Sequence, residues 1–190
     1  PYVRAAAMAA SGSDARMSGC LMPVVINSGS GNQGLTVSLP VISLAESWDS
    51  SREQLLRALL ISNLVSVHVK RHIGRLSAYC GATSASSGVA AAATWLRGGS
   101  REEIASSVVN TLAVVSGMIC DGAKASCAAK IAAALDSAFL AHRLAMQGKR
   151  FAGGDGIVAA DTEETIRRIG SLGSRGMAGT DKEILRLMLL

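Results

Sequence analysis

The sequence predicts an all-α fold, a compact domain of six to eight closely packed helices around one core, and three observations carry that prediction. Among 190 residues there are 31 Ala, 24 Ser and 20 Gly, small side chains that let helix backbones approach closely. Aromatic residues make up only 3% of the chain, and the β-branched and aromatic residues favoured in strands are scarce in most segments. Apolar residues recur at helical spacing, bounded by Gly or by a Ser, Thr or Asp with an acid or amide three positions on.

A first helix is expected over about Val3 to Ala10, ended by Ser11-Gly12-Ser13-Asp14. A polar, glycine-rich loop, Pro23 to Gly34, leads into an apolar stretch expected to be kinked or broken at Pro40. Ser51 with Gln54 is a capping-box signature, after which Leu55, Leu56, Leu59, Leu60, Leu64 and Val67 recur at helical spacing towards Gly74. A helix from about Thr83 to Arg97 stops at Gly98-Gly99, and Ser100 with Glu103 caps the next, to about Gly117. Further helices are expected over Ala123 to Gln147, from Asp161 with Glu164 to Leu172, and from Thr180 with Glu183 to the end. Residues 1–190 read as one helical domain, with no internal repeat.

Composition excludes several classes. With 49% hydrophobic and 17% charged residues and a mean hydropathy of +0.33, the chain is not disordered. Two long uncharged runs, between Arg75 and Arg97 and between Glu103 and Asp121, are interspersed with Ser, Thr, Gly or Asn and have too little Leu, Ile and Phe for a spanning helix. No secretory signal is visible, so a cytoplasmic protein with reduced thiols is expected. The start at Pro1 rather than Met is what a trimmed or partial chain would show. The net charge of +5 is scattered, and its densest group, Lys70, Arg71, His72 and Arg75, reads as a solvated helix end without aromatics to stack on bases. No nucleic-acid or membrane partner is expected.

Four cysteines, Cys20, Cys80, Cys120 and Cys127, form no CxxC pair. Cys80 and Cys120 each precede a small-residue turn and an apolar helix, and the positive end of a helix dipole favours a thiolate, as a metal ligand requires; a plain buried core cysteine is the competing reading. Cys127, within SCAAKIAAAL, reads as a core cysteine, with Cys20 intermediate. In the loop Ser28 to Gly34, glycines let backbone N–H groups turn towards an anion, and Ser, Asn and Gln add neutral donors suited to a carboxylate. Gly29, Gly31 and Gly34 spell GxGxxG, but no βαβ pattern surrounds them, and a solvated turn is the competing reading. Asp14 and Arg16 read either as a local ion pair bracing this loop or as ordinary surface charges. His68 and His72, with no acid between them, read as structural.

The segments GSDARMSG (Gly12 to Gly19), NSGSGNQG (Asn27 to Gly34) followed by LTVSLPV, the CGAT from Cys80, MICDGAKASCAAKI (Met118 to Ile131) and GMAGTDKEILRLM (Gly176 to Met188) resemble, in order and spacing, the carboxy-terminal half of the L-cysteine desulfidase family. That family is related to the iron–sulfur L-serine dehydratase alpha chain. The resemblance implies a helical fold and a 4Fe-4S cluster acting as a Lewis acid. It also implies elimination of hydrogen sulfide from cysteine, or water from serine, to an aminoacrylate that decays to pyruvate and ammonia.

Carried over, Cys80 and Cys120 match two of three cluster cysteines. The third belongs to a Cys-Thr-Glu-Pro segment near the family's amino terminus, which this sequence lacks, so the chain resembles a half-enzyme expected to be inactive as it stands: either a preceding polypeptide supplies the third ligand, or Cys20 or Cys127 would have to substitute. On this reading Ser28, Ser30, Asn32 and Gln33 bind the substrate carboxylate. Lys124 serves as base or carboxylate contact, and Asp121 holds Lys124 or binds the substrate ammonium. The small amino acid, the missing half and a second copy in a homo-oligomer are the expected partners. An iron–sulfur L-serine dehydratase and a non-enzymatic helical scaffold or binding module are the competing functions.

Overall fold

The computed structural model describes residues 1–74 and 76–190; Arg75, counted above in a basic group, lies outside them. The described residues form eight α-helices: α1 (Tyr2–Met17), α2 (Gly31–Ser47), α3 (Arg52–Ile73), α4 (Gly81–Leu96), α5 (Arg101–Val115), α6 (Cys127–Ala145), α7 (Thr162–Ser171) and α8 (Ala178–Met188). A π-helical turn, Leu172–Gly176, joins the last two. The all-α prediction holds, and the only β features among the described residues are two isolated bridges, Asn27 with Ser30 and Tyr79 with Ile119.

Helix α4 is the axis of the molecule. Every residue from Ala82 to Thr94 is buried, because α2, α3, α5 and α6 pack around it. A helix enclosed on all sides must satisfy its own polar groups. The hydroxyls of Ser86, Ser87 and Thr94 do so by donating to the carbonyls of Thr83, Ser84 and Ala90 at 2.8–3.0 Å. Small residues then bring backbones together: a Cβ on Gly88 would lie 2.2 Å from the carbonyl oxygen of Ser62 in α3. Helix α1 packs on α2 and α6, and α7 on α3 and α5.

Local signals set several boundaries as expected. Both capping boxes form, Ser51 with Gln54 and Ser100 with Glu103, and the Asp161 carboxylate accepts from the Glu164 N–H. Other boundaries move for tertiary reasons. Helix α1 does not stop at Ser11 but runs through Gly12 and buried Ser13 to Met17, since Gly12 lies directly against Leu39 of α2. Helix α2 is not broken at Pro40, whose ring is buried on the same stripe as Val37, Val41 and Leu44. Helix α6 begins at Cys127 rather than near Ala123, and α8 begins at Ala178, with no side-chain cap from Thr180.

The apolar spacing in α3 is helical, yet its leucines do not all face the core. Leu56, Leu60 and Leu64 are 55%, 58% and 59% exposed, while Ala58, Ser62, Ser66 and Val69 are buried. The face that α4 accepts is the small one. No helix of the described residues is long and apolar enough to cross a membrane.

Candidate functional site

The backbone brings Cys80 and Cys120 together across 40 residues of chain. Cys80 N–H donates to the Met118 carbonyl at 3.0 Å and Cys120 N–H to the Ala78 carbonyl at 2.6 Å, flanking the antiparallel Tyr79–Ile119 bridge. In such a pairing residues 80 and 120 lie diagonally on one face. The two thiols influence each other: the proximity of Cys120, and then burial, pushes the Cys80 thiol up, while the proximity of Cys80, with the Gly122 N–H and the Lys130 and Lys70 ammonium groups, lowers Cys120 to about 6 against the cost of burial. One thiolate, on Cys120, is therefore favoured near neutral pH.

Cys80 is the N-cap of α4, as its sequence context suggests. Cys120 differs: with α6 starting at Cys127, it sits in a loop, and its thiolate is favoured by Cys80 and neighbouring donors rather than by a helix end. Cys127 corrects a second expectation. It is the half-buried first residue of α6, not a core residue, and its Sγ accepts from the Lys124 N–H at 3.4 Å. Cys20 is exposed.

Cys80, Cys120 and Cys127 line one cavity of about 230 Å³, and Ser28, Ser30, Asn32 and Gln33 line it too. The loop is fixed from below. The Asn27 amide donates to Asn63 Oδ1 of α3 at 3.0 Å, and Asn27 Oδ1 accepts from Ser28 and Ser66 hydroxyls. Ser28 at φ +50° and Gly29 at φ +84° make the turn. Ser30 then caps α2, its hydroxyl accepting from the Gln33 N–H at 3.3 Å. Gly34 belongs to packing rather than to a dinucleotide fingerprint, since a Cβ there would lie 1.7 Å from the Val25 carbonyl oxygen. Arg16 donates to Asn32 Oδ1 at 3.1 Å; the Asp14–Arg16 ion pair is not among those formed by the described residues.

Lys124 and Asp121 lie in the loop that borders the cavity at Gly122 and Ala123. Lys124 is exposed and does not line the cavity, because its segment is loop and not the first turn of a helix. Asp121 forms its ion pair with Lys130 instead, which holds the carboxyl below its usual range. Burial acts to lower Lys130, but the Asp121 carboxylate outweighs it and raises the ammonium.

Two lysines that sequence reasoning passed over face this space. Lys130 lines the cavity one turn into α6. Lys70, assigned above to a solvated helix end, is only 6% exposed, lines the cavity and forms no ion pair among the described residues. Burial lowers its pKa, partly countered by Cys120, Cys80 and Asp181. Its signal was positional: Ser62, Ser66, Val69, Lys70 and Ile73 share the buried face of α3.

Three helix N-termini, those of α2, α4 and α6, thus meet two lysines around three sulfurs. Such a setting favours anions, whether thiolates or a carboxylate. Cys80 and Cys120, on one face, with Cys127 on the same cavity wall, are soft sulfur donors that could hold a thiophilic metal group, and the neighbouring ammonium groups support the deprotonated form of Cys120.

Comparison with known proteins identifies the family. The family described as serine dehydratase alpha chain matches residues 3–186. A UPF0597 protein of Desulfitobacterium hafniense is 57% identical over 187 residues, covering 98% of this chain and 44% of the relative. Another, of Lachnoclostridium phytofermentans, is 55% identical over 187 residues, 98% of this chain and 45% of the relative. A third, of Parabacteroides distasonis, is 42% identical over 187 residues, 98% and 44%. The chain spans less than half the length of these relatives. No solved structure matches.

Proposed function

Because the chain belongs to the serine dehydratase alpha chain family, we propose that it forms the cluster-holding part of a lyase that eliminates the β-substituent of a small amino acid, with L-cysteine as the first substrate and L-serine as the second. The observation that carries the reading is the convergence of Cys80 and Cys120 on the cavity that the Ser28–Gln33 loop also lines.

In this reading Cys80 and Cys120 hold a 4Fe-4S cluster. Cys127 is a further sulfur donor lining the same cavity, beside or in place of a cysteine from the amino-terminal half. The cluster, when bound, supplies a Lewis-acidic iron that favours departure of sulfide or hydroxide. The chain's own residues do the rest. The turn at Ser28 and the N-terminus of α2 receive the α-carboxylate, where N–H groups and the helix dipole favour negative charge. Arg16 holds Asn32, and Gln33 packs against Gly81, so these two side chains shape the pocket more than they bind. Lys70 replaces Lys124 as the base. It is the buried amine on the cavity wall, and burial favours the neutral form that can accept the α-proton. Lys130 keeps Asp121 ionised beside the sulfurs. Carboxy-terminal-half identity, and assembly with an amino-terminal half or a second copy, belong to the same proposal.

The test uses full-length protein purified without oxygen, reconstituted with iron and sulfide, and assayed for pyruvate from L-cysteine and L-serine. Cluster absorbance and pyruvate should both be lost in Cys80→Ala and Cys120→Ala. Pyruvate formation undiminished in both variants would sink the ligand assignment, and a protein that takes up no iron would favour the scaffold reading.

A further inference from the structure

His68 and His72 stand one turn apart on α3, outside the cysteine cavity, and the acid that the sequence does not place between them arrives from 95 residues away. Glu163, in the first turn of α7, puts Oε2 2.7 Å from His68 Nε2. The two imidazole rings are 5.4 Å apart, nearly perpendicular. One ligand atom from each of the three residues lies within 4.8 Å of the others. The frame holding them is rigid: a Cβ on Gly170 of α7 would fall 2.3 Å from the His72 Cβ, so the α7 backbone rests directly on the base of one ligand.

We propose that His68, His72 and Glu163 form a binding site for a transition-metal dication of the zinc, cobalt or nickel type, separate from the sulfur-lined cavity. Two neutral imidazoles and one carboxylate are the donor set such ions take, whereas calcium and magnesium favour all-oxygen sets. Ligation at metal–donor distances of about 2.1 Å in tetrahedral geometry needs donors about 3.4 Å apart, which small side-chain rotations from the present spacing supply. The His68–Glu163 hydrogen bond gives way, and each group bonds to the metal instead. His68 and Glu163 are partly exposed, so the ion enters from solvent and keeps at least one water. Its effect is mechanical: the bound metal staples α7 to α3.

Cobalt(II) tests this on the full chain under anaerobic conditions, because it reports its own ligands. Thiolate ligation gives intense near-ultraviolet charge-transfer absorption, and imidazole–carboxylate ligation gives only weaker visible bands. Wild-type protein should bind one cobalt ion with visible bands free of charge-transfer intensity, in addition to any thiolate-bound metal, and should melt higher with it. His68→Ala/His72→Ala should lose those bands while keeping the thiolate signal, and Glu163→Gln should weaken binding more than about tenfold. Paramagnetic broadening of the His68 and His72 ring resonances gives a second readout that needs no variant. Cobalt found only on thiolates, or visible bands and ring resonances indifferent to these residues, would overturn the site and leave the lyase reading untouched.

Discussion

A Cβ added to Gly81 would lie 2.5 Å from Cδ of Gln33, so the first residue of α4 and the third residue of α2 touch where both line the cavity. The atom in the way is near the end of a flexible side chain rather than backbone. Gly81→Ala should therefore swing Gln33 aside and leave the helices in place. The expected outcome is a melting temperature within a few degrees of wild type and a raised KM for the amino acid, measured on reconstituted full-length enzyme.

Lys70 and Lys124 separate two versions of the chemistry. Lys70→Met removes the buried amine on the cavity wall and should lower kcat about 100-fold or more, the usual scale for a lost general base. Lys124→Met alters an exposed loop side chain and should leave kcat within about twofold. A large loss in Lys124→Met with Lys70→Met little changed would return the base to Lys124.

Cys120 should be alkylated in a pH-dependent way. Its thiolate is favoured as the pH rises through about 6, so the rate of carbamidomethylation in cluster-free protein should climb between pH 5 and 7 and then level. Cys80→Ala removes the neighbouring thiol that lowers Cys120 most and should move the inflection upward. Peptide mapping by mass spectrometry reads Cys120 separately from exposed Cys20.

His142 links stability to pH. It is 2% exposed, and burial, then Arg97 and Arg143, lowers it to about 4. The Thr94 hydroxyl donates to the Ala90 carbonyl, so the 2.9 Å contact with His142 Nδ1 requires that nitrogen to carry the proton. Between about 6.5 and 4 the unfolded chain binds more protons than the folded one. Stability therefore rises with pH across that window, and about 3 kcal/mol is lost as the pH falls through it. Urea unfolding at several pH values should show this slope, and His142→Asn should flatten it.

What was legible in the sequence was local. The boxes at Ser51 and Ser100 involve partners three residues apart, and the glycine turn at Ser28 is set by its own backbone. What was not legible depended on distant chain. Gly12 reads as a breaker until Leu39 of α2 is laid against it, and Lys70 reads as a solvated end until α4 covers its face. The late start of α6 misplaced Lys124 and hid Cys127, since the Ala-rich segment has helix propensity throughout and no cap marks its first residue. The pairing of Cys80 with Cys120 entered through family resemblance; the Tyr79–Ile119 bridge supplies its physical cause.

Gly88→Ala should behave unlike Gly81→Ala. The obstruction is the Ser62 carbonyl oxygen at 2.2 Å, a backbone atom that cannot rotate away, so α3 and α4 must part. A cost of about 1–3 kcal/mol or more is expected, read as a lower urea midpoint.

The enclosure of α4 has a kinetic meaning. A helix with no solvent face from Ala82 to Thr94 gains little until its neighbours arrive, so it cannot form early and wait. Its amides should exchange with deuterium only through global opening, in step with those of the helices around it. The thiol at its head should inherit that protection: the Cys80 amide is expected to exchange with those of α4, and the Cys120 amide, bonded to the Ala78 carbonyl, should report whether the loop opens separately from the helix.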